Sequence, residues 1–408
     1  MGLLSGEISN STCPSITTGP QYGAEHIIGS LTFHNVTTIL CGAFTIVTFI
    51  VSGFSMFLHA THFSNPAEQV KIFRITAIVP AFAFIYFLTG AFLSTAIYLE
   101  PWADFYESIA LASYFQLLVT FLEPIPERRD AYFDRLEHSS SGGSLTWYHR
   151  TRVIVFQYIV FSFLVAVVTD ITQAAGVYCA NSSRVHFAHI WLTVVVSISV
   201  SIAVLRLLAF YKRTKTELNP YRPLIKLGAI KGIVFLTFFQ SMIFTILRST
   251  GALNPSARFS YNDINYGIPS ILICGEMVVF ALFQFYAYSA KPYYADNQLA
   301  GKDVRYYGGP LGIKAFIAAA NPVDIVQELM QAVMYMMASP RTPKYDTAVR
   351  LEPLGYGRAG GNSSAPPPPY VPANATYEGV VAPQREPSPS SMEYRTVDEY
   401  TPLPKRQF

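Results

Sequence analysis

The sequence predicts an all-α fold, a polytopic membrane protein with seven transmembrane helices. Of its 408 residues, 51% are hydrophobic and only 13% are charged, whereas soluble domains carry about 25% charged residues. The charged residues also collect between long apolar segments. Seven of these segments reach about 20 residues, the length that crosses about 30 Å of hydrocarbon as a helix. Together these three observations exclude a soluble protein with a large core.

The seven predicted spans follow one another along the first three quarters of the chain. In hydrocarbon they must be helical, because backbone groups find no water there, and the strands of a barrel would be shorter and would alternate apolar with polar residues. The third span is the weakest, since Glu107 lies within it and Glu123 ends it. We place the spans at Val36–Leu58, Ile75–Leu99, Phe105–Leu122, Val153–Ala175, Ala188–Tyr211, Gly228–Leu247 and Gly267–Ala290.

The charges in the loops predict the orientation of the bundle. Lys and Arg concentrate in the loops between spans one and two, three and four, and five and six. The first 35 residues contain neither, and the predicted loop between spans two and three carries only acids, Glu100 and Asp104. Since basic loops stay in the cytosol, we expect the N-terminus outside or in a lumen and the C-terminus in the cytosol.

The cysteines and the glycosylation sequons fit this orientation. Cys13 and Cys179 both fall on the oxidising side, so a disulfide between them is one outcome and two free thiols are the other. Asn10 and Asn181 begin Asn-x-Ser/Thr sequons on the same side and are candidate glycosylation sites.

The composition divides the chain into four regions. Residues 1–35 form an extracellular or lumenal segment, residues 36–290 the seven-helix transmembrane domain, and residues 291–338 a juxtamembrane region. Residues 339–408 are rich in Pro and Ser and are predicted to be a disordered cytosolic tail, because such a composition cannot bury enough apolar surface to fold.

The juxtamembrane region contains a predicted amphipathic helix at Pro322–Met337. Asn321 before Pro322 is typical of a helix start, and Asp324 suits the first turn. This helix either packs on the bundle or the lipid surface, or serves as a docking helix for a cytosolic partner through a soft Met-rich face. Candidate partner-binding residues are Val326, Leu329, Met330, Val333 and Met337, with Tyr400 and Leu403 of a Tyr-x-x-apolar motif that sorting adaptors or ubiquitin-like proteins could bind.

One glutamate lies inside an otherwise apolar span. Glu276 is placed about nine residues into span seven, near mid-depth, where a carboxylate is costly unless it is paired, protonated or in contact with water. Gln240 in span six and Gln116 in span three are placed at a similar depth. Either these groups line a solute path, or they join helices through hydrogen bonds worth about 0.6 kcal/mol each.

Four further ionisable side chains are candidates for the same path. The bases Arg74 and Lys231 are placed near the cytosolic side, where long side chains can reach water. The acids Asp170 and Glu107 are placed near the opposite side. A cavity with acids outside and bases inside is compatible with a path for an amphipathic anion.

Several other classes of function are disfavoured. The sequence has no P-loop and no H-E-x-x-H motif, so we predict no enzyme, no cofactor and no nucleic-acid partner. His59 and His62 stand three residues apart with no third ligand nearby, so no metal site is predicted. The Asp-Arg-Tyr and Asn-Pro-x-x-Tyr motifs of rhodopsin-like receptors are missing from spans three and seven.

Four motifs follow one another along the spans. They are His59, Pro66, Gln69, Arg74 and Pro80; Tyr106-Glu107 with Tyr114-Phe115-Gln116-Leu117-Leu118; Pro223-Leu224-x-Lys226 with Lys231, Phe235 and Gln240; and Ile273-Cys274-Gly275-Glu276-Met277. Together these motifs resemble the family of organic solute transporter alpha subunits and transmembrane protein 184 (DUF300). Phe63 and Phe239 stand where that family usually has Tyr and Trp, and the cysteine-rich patch of its bile-acid-transporting members is missing. The Pro-rich tail is similar to that of fungal members.

The resemblance implies a carrier that moves amphipathic organic solutes, steroid-like or other organic anions, by facilitated diffusion. It also implies contact with membrane lipid and either a single-span partner subunit or a homo-oligomer. We expect an integral protein of an endomembrane, vacuolar or endosomal, or of the plasma membrane. The alternative is a vacuolar or endosomal scaffold that recruits cytosolic autophagy or sorting partners through its C-terminal helix and tail.

Overall fold

The computed structural model describes Cys13 and residues 23–136, 144–180, 182, 184–294 and 305–337. Within these residues, seven helical segments are long and apolar enough to cross a membrane. The predicted all-α polytopic membrane fold is therefore confirmed. A short antiparallel hairpin, β1 (His26–Ile28) with β2 (Leu31–Thr32), precedes the first span.

The seven spans are built from helices joined by short turns. Span one is α1 (Phe33–Thr61), span two is α2 (Pro66–Thr76) continued by α3 (Ile78–Ala91), and span three is α4 (Ala96–Leu122). After α5 (Arg129–Arg135), span four is α6 (Ser144–Ala174) and span five is α7 (Ala188–Arg213). After α8 (Lys215–Leu218), span six is α9 (Pro223–Ser249), and span seven is the π-helical turn Asp263–Gly267 with α10 (Ile268–Ala287). Two juxtamembrane helices follow, α11 (Ile313–Ala320) and α12 (Val323–Met337).

The predicted boundaries of spans two and three were wrong, and both of these helices carry charged residues near their ends. Span two runs from Pro66 to Ala91, because proline suits the first helical position. Span three begins at Ala96, so Glu100 and Asp104 belong to the helix and not to a loop. The physical reason is that the helix continues through Glu100 and Asp104, whose side chains line a cavity, whereas hydropathy falls at every charged residue.

Span three is the most buried of the spans, and spans five and six are the least. Tyr114, Leu117 and Leu118 of span three are 0–1% exposed and belong to the main apolar core. Spans five and six instead expose large apolar side chains such as Leu205 and Phe238. In a membrane such surfaces face lipid, which is as apolar as the side chains themselves.

Two N-terminal residues, Cys13 and Glu25, are bonded to one end of the bundle. A disulfide joins Cys13 to Cys179 in the turn between spans four and five, with the two Cα atoms 5.7 Å apart. Glu25 also bonds to the connection between spans six and seven, through its backbone to Ala257 (2.9 Å) and its side chain to Arg258 (3.2 Å). We call this the disulfide end and the opposite one the tail end. The sequon residues Asn10 and Asn181 lie outside the described residues.

The juxtamembrane helices dock at the tail end through Arg74. Its guanidinium donates to the carbonyl oxygens of Ala319 (2.9 Å) and Asn321 (2.6 Å) and binds the Asp324 carboxylate at 2.7 Å. It therefore satisfies carbonyls at the end of α11 and an acid in the first turn of α12. The prediction that Arg74 reaches toward water was wrong, since the side chain is 7% exposed. A buried guanidinium needs such partners.

Helix α12 presents its acidic side to the bundle. Glu328 lies 3.5 Å from Arg129 and 3.4 Å from Arg152, and Arg152 also donates to Gln331 at 2.8 Å. The polar side of the helix, and not only its apolar stripe, therefore contacts the bundle. Ile325, Leu329 and Ala332 pack inward, Val333 is half-buried, and Val326, Met330, Met334 and Met337 are exposed. Tyr400 and Leu403 lie outside the described residues.

The docking of α12 should depend on the charge of Asp324. Burial raises the pKa of this carboxyl, but the hydrogen bond and charge of Arg74 outweigh burial, so the pKa lies below its usual value. The carboxylate thus contributes stability above the ordinary pKa of about 4, and the contribution is lost as the pH falls through the lowered pKa. The side chain of Asp324 is 41% exposed, so its ion pair with Arg74 should contribute less than about 1 kcal/mol to the docking of α12. Asp324→Asn should therefore speed amide exchange in residues 323–337 about two- to fivefold at pH 7.

Hydrogen–deuterium exchange between about pH 3 and 7 checks this prediction. The difference between the wild type and Asp324→Asn should be constant at neutral pH and should shrink only below the ordinary carboxyl pKa. Asp134→Asn, which removes an exposed carboxylate from α5 at the same end, serves as the control. A difference that already fades near neutral pH would contradict the lowered pKa.

Candidate functional site

A cavity of about 700 Å³ lies at the disulfide end of the bundle. Span three contributes Ile97, Glu100 and Asp104 to its wall, and span six contributes Ser241, Thr245 and Arg248. Spans two, four, five and seven complete it with residues that include Tyr86, Val165, Thr169, Val196 and Tyr266. Its volume is within the range of small-molecule sites, about 300–1,000 Å³.

Span six is fixed to its neighbours at the tail end. Tyr114 donates its hydroxyl hydrogen to the Pro223 carbonyl at 2.8 Å, and Tyr288 donates to the Lys226 carbonyl at 3.0 Å. The cavity-lining residues of span six begin at Ser241, well beyond these contacts. The cavity thus lies in the half of the bundle away from these two hydrogen bonds of span six.

An ion pair lies just beneath the cavity. Lys231 of span six donates to Glu107 of span three, and Tyr158 of span four donates to the other carboxylate oxygen at 2.9 Å. Glu107 is 1% exposed and Lys231 is 17% exposed. The prediction that Glu107 and Lys231 lie at opposite ends was wrong. Span three begins earlier than predicted, so Glu107 lies well inside the bundle, within reach of Lys231.

Two acids of the cavity wall were missed as site residues. Glu100 and Asp104 were assigned to a loop, but they lie one helical turn apart on α4 and both face the cavity. Glu107 follows Asp104 by three residues on the same helix face. The signal that could have found them is this i, i+4, i+7 spacing of three acids, which is typical of one face of a helix.

The turn between spans four and five adds a hydrogen-bond donor to the wall. Burial and the charges of Glu100 and Asp104 raise the pKa of Tyr178 to about 12. Its phenol therefore stays protonated at neutral pH. At the opening, Arg248 donates to the Asn265 side chain and to the Phe244 carbonyl (3.2 Å).

Glu276 is paired, but it does not line the cavity. Gln240 of span six donates its amide to one oxygen of the Glu276 carboxylate. The second Glu276 oxygen and the Gln240 carbonyl oxygen are inaccessible and have no hydrogen-bond partner within the described part of the chain. The pair joins spans six and seven. This agrees with the alternative in which these polar groups join helices and do not line a solute path.

The other predicted path residues are dispersed. Gln116 lies at the tail end, because it follows by two residues Tyr114, whose hydroxyl donates to Pro223, the first residue of α9. The prediction that Gln116 and Gln240 lie at a similar depth was therefore wrong. Asp170 accepts a hydrogen bond from Trp102 at 3.1 Å. With Arg74 committed to the juxtamembrane helices, none of the seven predicted path residues lines the cavity. Glu107, paired with Lys231, lies one helical turn beyond Asp104 on α4.

Comparison with known proteins assigns the chain to a family. Residues 37–293 match the sequence model of the organic solute transporter Ostalpha family. The chain belongs to the organic solute transporter Ostalpha family. It is 27% identical over 282 residues to a transmembrane protein 184 homologue of Dictyostelium discoideum, covering 65% of this chain and 54% of the relative. No solved structure matches it.

Two further relatives of this Ostalpha-family protein come from a plant and a yeast. Protein LAZ1 of Arabidopsis thaliana is 27% identical over 283 residues, 63% of this chain and 58% of the relative. Vacuole membrane protein hfl11 of Schizosaccharomyces pombe is 25% identical over 271 residues, 64% of this chain and 63% of the relative. The chain spans less than two thirds of the length of each of these relatives.

In this Ostalpha-family protein, two residues of the first motif, His59 and Gln69, bond to backbone groups of other segments. His59 donates to the Tyr288 carbonyl at 2.8 Å, and Gln69 donates to the carbonyls of His59 (3.2 Å) and His62 (3.0 Å). The amide oxygen of Gln69 accepts bonds from the backbone after His62. His59 and His62 thus organise the first loop and contact backbone groups.

Proposed function

We propose that this protein is a facilitative carrier of amphipathic organic solutes and that the cavity at the disulfide end is its solute site. The observation that carries the proposal is a cavity of about 700 Å³ lined by six membrane spans. Its wall combines apolar side chains such as Ile97 and Val165 with hydroxyls and carboxylates. Such a mixture suits a solute with an apolar body and one polar group.

We further propose that the Glu107–Lys231 pair forms the inner barrier of the carrier. It closes the cavity toward the tail end by joining span three to span six. Span six is among the least buried spans, so moving it would disrupt little packing against neighbouring helices. Rocking of span six away from span three would separate the pair and open the cavity to the other side.

The orientation and the membrane are part of this proposal. A Cys13–Cys179 disulfide favours an oxidising compartment at that end. We therefore propose that the juxtamembrane helices lie in the cytosol. One relative is named as a vacuole membrane protein. We therefore propose an endomembrane of the vacuolar or endosomal type, with the cavity open to the lumen.

A flux measurement with a bulky substitution tests the carrier. Ser241 is an exposed residue of span six that faces the cavity, so Ser241→Trp fills the site without disturbing the core. Full-length protein in liposomes should release preloaded dehydroepiandrosterone sulfate or trimethyl(1-adamantyl)ammonium down its gradient faster than protein-free liposomes. Ser241→Trp should reduce that rate at least about fivefold, because an obstructed pocket cannot admit the solute.

Met242→Trp is the matched control for this experiment. It makes the same substitution one residue further along span six, at a lipid-exposed position outside the cavity wall. Its flux should stay within about twofold of the wild type. Release of neither probe by the wild type, or equal loss in both variants, would overturn the carrier proposal.

A second candidate function rests on the exposed face of α12. Val326, Met330, Met334 and Met337 are exposed while the acidic side of the helix is docked. A soft apolar face of this kind suits a scaffold that recruits a cytosolic adaptor or ubiquitin-like partner. Met330→Glu with Met334→Glu leaves the arginine contacts intact and should abolish correct localisation. Unchanged localisation and phenotype in this variant would reject the scaffold.

A further inference from the structure

Two carboxylates of span three stand in the cavity wall. Glu100 and Asp104 stand on consecutive turns of α4 and line the cavity. Within the described ranges, neither takes part in a hydrogen bond or an ion pair. An ionised carboxylate inside a membrane bundle is costly unless it meets water or a positive partner. The wall therefore offers two acceptor groups that a bound cation would satisfy.

Among the described residues, a lysine and an arginine lie near these carboxylates, and their hydrogen bonds go to other groups. The charge of Lys231 also acts on Asp104. Lys231 donates to Glu107, one turn below Asp104. Arg248 also lines the cavity, but it stands near the last turn of α9 and donates to Asn265 and to the Phe244 carbonyl. The guanidinium of the wall thus stands near the end of α9, and the two carboxylates stand on the first turns of α4.

The rest of the wall suits the body of an organic cation. Ile97, Val165 and Val196 provide apolar surface. Tyr86, Tyr178 and Tyr266 add phenol rings, whose faces attract ammonium groups within about 6 Å of the ring centre. A bare metal ion would need several oxygen ligands at about 2.0–2.6 Å, and a cavity of about 700 Å³ is far larger than such a site.

We propose that the cavity binds amphipathic organic cations, with an ammonium group against Glu100 and Asp104 and an apolar body against Ile97, Val165 and Val196. This inference deepens the proposed function and rests on it for the transport step. It replaces the expectation of an organic anion, because an anion at this depth would meet two carboxylates. Opposite charges in a low-dielectric site attract strongly, and like charges repel equally strongly.

Three probes with one body separate charge from shape. They are trimethyl(1-adamantyl)ammonium, 1-adamantanecarboxylate and 1-adamantanol, each titrated calorimetrically into the full chain in lipid nanodiscs. The ammonium should bind at least about tenfold more tightly than the carboxylate. Asp104→Asn should weaken ammonium binding about tenfold and leave adamantanol within about twofold. Glu100→Gln repeats the test at the second carboxylate in case Asp104→Asn does not fold.

Asp170→Asn is the matched control. It removes one negative charge at the same end of the bundle, from a carboxylate that accepts a bond from Trp102 and lies outside the cavity wall. It should leave the binding of all three probes unchanged. Equal loss of ammonium binding in Asp170→Asn and Asp104→Asn would show a diffuse field and overturn the site.

The outcomes for the site and for the carrier are distinguishable. Carboxylate binding as tight as that of the ammonium, or no binding of any probe, overturns the cation site. If the carboxylate is nevertheless released from liposomes and Ser241→Trp blocks it, the carrier proposal stands. If the ammonium binds through Asp104 but no probe crosses the bilayer, the site stands and the carrier proposal falls.

Discussion

Replacing Lys231 with methionine should destabilise the protein by about 3–5 kcal/mol, the usual effect of removing one partner from a buried ion pair. The substitution leaves the Glu107 carboxylate, which is 1% exposed, without its ammonium partner. The Tyr158 hydroxyl continues to donate to it, but a single neutral donor does not balance a buried charge. Thermal unfolding of the purified protein in one detergent should show the loss as a lower Tm.

The double variant Lys231→Met with Glu107→Gln is the control for this prediction. It removes both charges and keeps side chains of similar size, so it should recover most of the lost stability. A coupling near zero in this double-mutant cycle would mean that the pair contributes nothing. The inner barrier of the proposed carrier would then need another explanation.

Removing the disulfide should have the next largest effect, a loss of about 2–4 kcal/mol. Cys13 and Cys179 are 166 residues apart in sequence, and a chain-entropy argument for so large a loop gives roughly 5 kcal/mol. We expect less, because spans that remain helical in the unfolded membrane state have already lost much of that entropy. Thermal unfolding of Cys13→Ser should give the measurement.

Reduction of the wild-type protein is the control for the disulfide. A reductant should lower the Tm of the wild type to that of Cys13→Ser and leave the variant unchanged. Cys179→Ser should match Cys13→Ser, since either substitution breaks the same bond. A wild-type Tm that does not respond to reductant, although free-thiol labelling shows reduction, would contradict the predicted contribution.

The proposed cation site reinterprets the acids of span three. Glu100 and Asp104 were assigned to a loop because charged residues lower hydropathy wherever they stand. In the structure they mark the half of the bundle that contains the cavity. Glu107, one turn deeper, is neutralised by Lys231. Three acids on one helix face thus have two roles. Glu107 is paired with Lys231, and Glu100 and Asp104 line the cavity.

The juxtamembrane helix shows why a pattern on one helix does not decide its contacts. The bounds of the helix differ from the prediction by one residue. The predicted apolar stripe is divided, because Leu329 packs inward while Met330, Met334 and Met337 are exposed. The face that docks nevertheless includes Glu328, because Arg129 and Arg152 need a negative partner. Neutralising buried guanidinium groups outweighs covering methionine side chains.

The sequence by itself determined the class of this protein, the number and order of its spans and the presence of α12. These features depend on local runs of apolar residues, since a segment of about 20 such residues satisfies its own backbone and crosses the bilayer whatever its neighbours are. Only the tertiary structure decided which polar groups meet. Glu107 and Lys231 are 124 residues apart in sequence, and Arg74 and Asp324 are 250 apart. Such pairs arise where distant spans pack, because a charge removed from water must find its partner in space.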